Sequence, residues 1–270
     1  MGNDREMTML QHLEELRRVM IISVAATLVM ALGCWFVSDT ILPYLLKPVT
    51  DTGSKMVYIG VTEALFTKIK LSLFLGFLAA LPVILWQFWG FIIPALHKKE
   101  KIYFTVFVLT SYLLFAAGLA FGFFLVFHLG VRYLIQFGGP ELTPMLTIGK
   151  YISFAITFLL PFGLVFEIPL ASLCLAGLGV LSYRRMARGR KTAVVIAVVI
   201  ACALIPSPDI VTVLLMAAPM YFLYEISACL VRFVEWRRSG RSALKAMRNF
   251  AGGKLAALQS AGRRLYGAGR

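Results

Sequence analysis

Long uninterrupted apolar runs constrain the fold of this chain more than any other feature of its sequence. Most of them approach the ~20 residues that a helix needs to cross ~30 Å of hydrocarbon, and they lack the two-residue alternation of barrel strands. Hydrophobic residues make up 60 % of the 270 residues and charged residues only 15 %, which is far more apolar than a soluble domain. The sequence therefore predicts an all-α polytopic membrane protein with six transmembrane helices, at about 19–37, 71–93, 103–128, 151–180, 192–205 and 210–231.

The distribution of basic residues predicts the orientation of these helices. Most of the 27 Lys and Arg residues lie in the first, third, fifth and last segments outside the apolar runs. By the positive-inside rule, both termini are cytosolic. We therefore expect a cytosolic amphipathic segment at 1–18, a membrane domain at 19–231 and a basic cytosolic tail at 232–270. Anionic lipid headgroups suffice to explain the net charge of +14, so membrane lipids are expected as partners and nucleic acid is not.

The segment before the first apolar run has an amphipathic pattern. Leucines at 10, 13 and 16 alternate with charged residues between Gln11 and Arg18, which predicts a helix lying along the cytosolic surface. Glu14 and Arg18 have the spacing of an i, i+4 ion pair. Glu15 has no basic residue four positions ahead and is left without such a partner.

The predicted fifth helix is unusually short. Its 14 residues, 192–205, reach only ~21 Å, which is less than the hydrocarbon thickness. With the sixth helix, which follows directly after Pro206 and Pro208, it would form a short hairpin that thins the local bilayer. The alternative is that these boundaries are a few residues out. The basic cluster at 184–191 is expected to form the cytosolic loop before this hairpin, as a lipid-facing anchor.

Residues 38–70 form the longest predicted external segment, an external capping loop over the helix bundle. Pro43 and Pro48 are expected to break a helix there, and Gly53 to end a turn. Thr62 followed by Glu63 has the pattern of a helix start that continues into the second span.

Acidic residues within or beside the apolar runs require an explanation, because an intramembrane charge costs several kcal/mol. Glu167 lies between Pro161 and Pro169 and is predicted to face a wet cavity or the bundle interior; a protonated side chain hydrogen-bonded to a neighbouring helix is the alternative. Glu225 lies closer to a helix end, where snorkelling or pairing with Arg232 would suffice. Asp209 is placed to cap the sixth helix, and Glu100 lies among lysines in a short cytosolic loop.

No catalytic constellation, cofactor motif or metal-ligand spacing is recognisable in the sequence. The four cysteines lie in apolar runs without CxxC spacing, and the three histidines are far apart. We therefore expect a non-enzymatic protein without a cofactor or metal. A proton-coupled secondary transporter with Glu167 as the carrier residue is one alternative function, and a purely structural membrane scaffold is another.

Several segments in order resemble the TatC family, the multi-spanning subunit of the twin-arginine protein translocase. His12 to Arg18 (His-Leu-Glu-Glu-Leu-Arg-Arg) is similar to the family's N-terminal motif, and Thr62 to Thr67 (Thr-Glu-Ala-Leu-Phe-Thr) to its external segment. The segments 82–100, 162–169 and 206–226 extend the resemblance, which covers the chain from about residue 10 to residue 238.

This resemblance implies a receptor in the bacterial cytoplasmic (inner) membrane for folded precursors whose signal peptides carry consecutive arginines. It implies single-span TatA-type and TatB-type partners, homo- and hetero-oligomers, and transport driven by the proton-motive force. The implied site residues are Glu15, Arg17 and Glu100 for signal-peptide binding; Pro48, Phe91 and Pro94 for the shape of the receptor; Glu167 and Glu225 for intramembrane polar or partner contacts; and Asp209 at the external turn.

Overall fold

A computed structural model describes residues 9–54, 56–92, 101–137, 145–205 and 209–237. The helices are α1 (Met9–Thr50), α2 (Glu63–Ile92), α3 (Lys101–Phe121), α4 (His128–Phe137), α5 (Ile148–Phe166), α6 (Ile168–Gly177), α7 (Tyr183–Leu204) and α8 (Ile210–Arg237). A π-helical turn, Gly122–Phe127, joins α3 to α4. Two short strands, β1 (Met56–Val57) and β2 (Leu146–Thr147), pair in parallel. The predicted all-α class is confirmed, with this small ladder as an addition.

Five continuous helical segments are long and apolar enough to cross a membrane. They are His12–Thr50, Glu63–Ile92, Phe104–Gln136, Ile148–Gly177 and Ile210–Arg237, and each overlaps one predicted span. The predicted fifth span, 192–205, forms the second part of α7, which has 22 residues and is therefore longer than predicted. Its basic first turns keep it from being as apolar as the other five segments. Six crossings therefore remain a prediction, as does the orientation.

Helix α1 is longer than the sequence predicts. It runs without interruption from Met9 to Thr50, so the prediction of a separate surface helix before the first span is wrong. The leucines of its first turns are exposed. Among the described residues, Glu14 and Arg18 form no ion pair.

The prediction that Pro43 and Pro48 break a helix is also wrong, because both lie inside α1. Pro48 is buried, and the hydroxyl of Tyr151 donates a hydrogen bond to the carbonyl oxygen of Leu45 at 2.9 Å. A proline disturbs the carbonyls of the preceding turn, so a donor from another helix offsets part of that cost. Gly53 has the predicted role: its φ of 77° lies in the left-handed region after the helix end.

Two further boundaries differ from the predictions. The basic cluster at 184–191 is helical and forms the first turns of α7 rather than a loop. The predicted external loop is partly helical as well, since α1 continues to Thr50 and α2 begins at Glu63, as predicted. The turn at Pro206 and Pro208 and the tail beyond Arg237 lie outside the described residues.

The chain divides into two compact units. The first comprises residues 1–167 and 194–221, and the second residues 168–193 and 222–270. In the first unit, small residues allow close helix approach: a Cβ added at Gly76 would overlap the backbone of Ala31, and one at Gly118 would lie 2.6 Å from the carbonyl oxygen of Phe162. Backbone proximity of this kind is typical of helix packing in membranes.

The second unit has its own small core. Ala176, Met186, Ala228 and Val231 are buried together, and Leu181, Tyr183 and Tyr224 pack against them. The hydroxyl of Tyr224 donates a hydrogen bond to the carbonyl oxygen of Met186 at 2.7 Å.

Candidate functional site

The first turns of α1 meet the last turn of α2, and we call this region the α1–α2 end. The imidazole of His12 stacks on the ring of Phe91 with 4.3 Å between centroids and 15° between planes. This contact joins Phe91 to the turn of α1 that precedes Glu15, and a role of Phe91 in shaping the region stays a prediction.

Glu15 is half-buried at the α1–α2 end, whereas Glu14 and Arg17 are exposed. In the described part of the chain, the carboxylate of Glu15 has no hydrogen bond or ion pair. An acidic side chain that is partly withdrawn from water without a partner is a receptive site for a cation. Glu100 and Pro94, predicted to belong to the same region, lie outside the described residues.

Glu167 lies at the break between α5 and α6 and ends a chain of hydrogen bonds. Trp89 on α2 donates from Nε1 to Ser111 Oγ at 2.9 Å, and Ser111 on α3 donates to Glu167 Oε2 at 2.7 Å. Trp89 is 4 % exposed and Ser111 is fully buried. We call this series the Trp89–Ser111–Glu167 chain.

The other carboxyl oxygen of Glu167, Oε1, is buried and has no partner among the described residues. Glu167 therefore faces the interior of the first unit and is hydrogen-bonded to the neighbouring helix α3, features that fit both the predicted interior position and its alternative. Its carboxyl group is half satisfied, and Oε1 remains available to a further hydrogen-bonding group.

For Glu225 the sequence suggests snorkelling or a pair with Arg232, and the structure shows an ion pair with Arg190. Its Oε1 lies 2.8 Å from Arg190 Nε, and its Oε2 accepts a hydrogen bond from Arg190 Nη2 at 3.0 Å. Arg232 instead lies over the ring of Tyr183, 5.3 Å from the centroid. The pair joins α7 to α8 within the second unit.

A second acidic residue of α8 fixes the start of α7. Glu235 Oε1 accepts a hydrogen bond from the backbone N–H of Tyr183 at 3.1 Å. This N–H belongs to the first turn of a helix and has no intrahelical acceptor, so the carboxylate serves as a cap. Glu225 and Glu235 thus hold α7 and α8 together at two points.

Asp209 caps α8, as predicted. Its Oδ2 accepts a hydrogen bond from the backbone N–H of Thr212 at 3.0 Å. The side chain and the backbone amide of Thr212 favour the ionised carboxylate, so the pKa of Asp209 lies below its ordinary value.

Glu63 has a role that its position as a helix start did not reveal. Its Oε2 accepts hydrogen bonds from the N–H groups of Ile59 at 2.9 Å and Gly60 at 3.4 Å, and its Oε1 accepts one from Gly149 at 2.9 Å. The carboxylate therefore joins the connection after β1 to the first turn of α5.

Sequence reasoning missed Trp89, Ser111 and Arg190 as partners of the predicted acidic residues. A signal was present for two of them, because a serine and an indole N–H inside apolar runs each need a hydrogen-bond partner. The pairing of Ser111 with Glu167 could not be predicted from the sequence, since 56 residues separate them. Among the described residues no group of three His, Cys, Asp or Glu side chains is placed to hold a metal ion.

Comparisons with known proteins agree on one family. The model of the family "Sec-independent protein translocase protein (TatC)" matches residues 11–219. The TatC protein of Carboxydothermus hydrogenoformans is 45 % identical over 232 residues, covering 86 % of this chain and 96 % of that protein. The TatC protein of Aquifex aeolicus is 39 % identical over 225 residues, covering 82 % and 93 %. A crystal structure of the twin-arginine translocase receptor TatC superimposes with a TM-score of 0.75 at 38 % identity, covering 82 % of this chain and 98 % of that one.

Proposed function

Because this chain belongs to the TatC family of Sec-independent protein translocase components, we propose that it is the receptor that binds twin-arginine signal peptides. It is a polytopic membrane protein. In the proposed function it acts in the bacterial inner membrane with both termini in the cytosol. It works with TatA-type and TatB-type partners and uses the proton-motive force to move folded precursors.

The observation that carries this proposal is the half-buried carboxylate of Glu15 at the α1–α2 end, which has no ion pair with any described residue. A guanidinium group is planar and binds a carboxylate through two parallel hydrogen bonds, which a lysine ammonium cannot reproduce. Recognition of arginine rather than of positive charge alone therefore requires a carboxylate whose position is fixed.

The surroundings of Glu15 supply that fixed position. Glu15 lies inside α1, one turn beyond His12, and the stacking of His12 on Phe91 fastens this part of α1 to α2. Two consecutive arginines need two acceptors, and the family resemblance assigns the second to Glu100, with Arg17 and Pro94 shaping the same surface. The geometry thus supports Glu15, and the resemblance alone supplies Glu100, Arg17 and Pro94.

The Trp89–Ser111–Glu167 chain supports a second part of the proposal. Glu167 Oε1 is buried and unpartnered in the described chain, so a polar group on a partner helix or on the inserted signal peptide would complete its hydrogen bonding. Glu225 is engaged by Arg190, and we assign it to the packing of α7 on α8 rather than to partner contact. Pro48 is assigned to the shape of the external side, where α1 packs beside α5.

Site-specific photocrosslinking in native membranes tests the receptor function. A photoreactive residue in place of the exposed Leu13, which leaves both proposed acceptors intact, should crosslink to a precursor with a twin-arginine leader and not to its twin-lysine counterpart. Glu15→Ala should reduce this crosslink strongly, and Glu15→Lys should abolish it because a lysine repels the arginines. Glu14→Ala is the matched control, since Glu14 is the exposed neighbour. Equal crosslinking of Glu15→Ala and Glu14→Ala would refute the assignment.

A further inference from the structure

Two cavities of the first unit meet at the beginning of α2 and α5. The outer cavity, of about 860 Å³, adjoins the connection after β1, and the inner cavity, of about 510 Å³, runs along α2 and α5. Both are lined by Lys70, Ser153 and Thr157. The two cavities therefore adjoin at these residues, and we call them together the α2–α5 groove.

The inner part of the α2–α5 groove is apolar. Of the described residues that line it, Lys70 is the one that carries a charge, and it lies where the two cavities meet. The other side chains are hydroxyl-bearing or hydrocarbon. The apolar ones are Leu73, Phe74, Phe77, Ile156 and Leu160.

Lys70 is bound to a neutral group rather than to an acid. Its Nζ donates a hydrogen bond to Ser153 Oγ at 2.9 Å, and Ser153 in turn donates to the carbonyl oxygen of Gly149 at 2.8 Å. In the described part of the chain, no carboxylate lies within ion-pair distance of Lys70. Lys68, two residues earlier, is paired with Asp39 at 2.6 Å.

The outer cavity has an excess of positive charge. Lys70 and Lys150 line it together with one acidic residue, Glu63. The carboxylate of Glu63 already accepts three backbone hydrogen bonds, from Ile59, Gly60 and Gly149. The three charged groups sum to +1, and Lys70 is exposed to the cavity, so the lining favours an anionic ligand.

We propose that the α2–α5 groove binds one membrane phospholipid, with its phosphate at Lys70 and one acyl chain along the inner cavity. An ammonium group beside a hydroxyl is complementary to a phosphate, and the apolar lining is complementary to hydrocarbon. The lipid would come from the leaflet on the side of the connection between α1 and α2. This site is separate from the α1–α2 end and goes beyond the proposed receptor function.

The volume of the inner cavity favours a hydrocarbon chain over a helix. A helix with its side chains is about 10–12 Å across and rises 5.4 Å per turn, so one turn occupies roughly 500 Å³. The inner cavity, of about 510 Å³, would hold about one turn. A single extended acyl chain is much thinner than a helix, so the same volume holds a longer stretch of it.

Native mass spectrometry of the full-length protein in detergent, titrated with phosphatidylglycerol, tests this proposal. Lys70→Gln should lower the affinity of the first bound lipid about fivefold, the effect of one lysine near an anionic headgroup. Lys68→Gln, which removes an equal charge two residues away, should leave it unchanged. Thr157→Trp should also lower lipid occupancy, because the indole would fill the groove.

Three outcomes would overturn the proposal. The first is equal lipid affinity in Lys70→Gln and the wild type, and the second is an equal loss in Lys70→Gln and Lys68→Gln. The third is displacement of the lipid by millimolar inorganic phosphate, which would indicate an anion site without an acyl chain. Should Lys70→Gln fail to fold, Ser153→Ala removes the hydroxyl from the same site and is expected to weaken lipid binding in the same direction.

Discussion

The Trp89–Ser111–Glu167 chain makes a quantitative prediction about Ser111→Ala. Ser111 is fully buried and bridges α2 and α5 from its position on α3. Its removal leaves the buried indole N–H of Trp89 without an acceptor and takes the hydrogen bond from Glu167 Oε2. Both oxygens of the Glu167 carboxyl group then lack a partner among the described residues.

The size of the effect follows from these two lost hydrogen bonds. A buried donor left unsatisfied costs about 1–3 kcal/mol, whereas hydrogen bonds within membrane proteins average about 0.6 kcal/mol with a maximum near 1.7. Two such bonds, with the unsatisfied indole included, give a loss of roughly 1–3 kcal/mol in the free energy of unfolding.

Unfolding of the purified protein in mixed detergent micelles measures this loss. Ser111→Thr retains the hydroxyl and should recover part of the stability. Thr110→Ala is the matched control, because the Thr110 hydroxyl is exposed and donates to Val106 O in its own helix. Ser111→Ala and Thr110→Ala of equal stability would refute the reasoning.

Three other predictions concern helix packing and the bilayer. Gly76→Ala should lower the free energy of unfolding by about 1–3 kcal/mol, because the added Cβ overlaps the backbone of Ala31. Gly33→Ala is the control and should not destabilise the protein, since its Cβ would meet nothing within 4 Å. Equal melting temperatures of the two variants in detergent would contradict this. Glu225→Gln should lower the melting temperature less at high salt than at low salt, because it removes a partly exposed ion pair; an unchanged melting temperature at low salt would contradict this. Insertion of four leucines within 192–205 should leave signal-peptide binding intact and reduce transport. A short apolar stretch is expected to thin the bilayer, and a thinner bilayer lowers the barrier to passage of a folded precursor. Unchanged transport would refute this reasoning.

The positions of the helices were largely predictable from the sequence because hydrocarbon imposes one requirement on every span. A helix must satisfy its own backbone over ~30 Å, so apolar length alone identifies the segments. Local chemistry predicted the start of α2 at Glu63 and the cap at Asp209, since both depend on neighbouring residues.

The mispredicted features depend on contacts between residues distant in sequence. Pro48 lies within α1, where the carbonyl of Leu45 receives a hydrogen bond from Tyr151, 106 residues away. Glu225 pairs with Arg190, 35 residues earlier, rather than with a nearby arginine. Local propensity favours breaks and short-range pairs, and tertiary contacts override both.

The candidate site was predictable in part. The acidic residue at 15 and the ring at 91 were both identified from their motifs. The contact between their two helices, made by His12 on Phe91, became evident only from the fold. The sequence likewise identified Glu167 by its cost in a membrane. Its hydrogen-bond donor, Ser111, became evident only when α3 and α5 were placed together.

The affinity of the purified protein in lipid nanodiscs for a twin-arginine leader peptide and its twin-lysine counterpart tests the central claim most directly. Loss of one partner of a hydrogen-bonded charge pair costs about 2–5 kcal/mol of binding free energy, and a lysine cannot reproduce the two parallel hydrogen bonds of an arginine. The twin-arginine peptide should therefore bind at least ~30-fold more tightly. Glu15→Gln should remove most of that difference and Glu14→Gln should preserve it. Equal affinity of the wild-type protein for the two peptides would contradict the account.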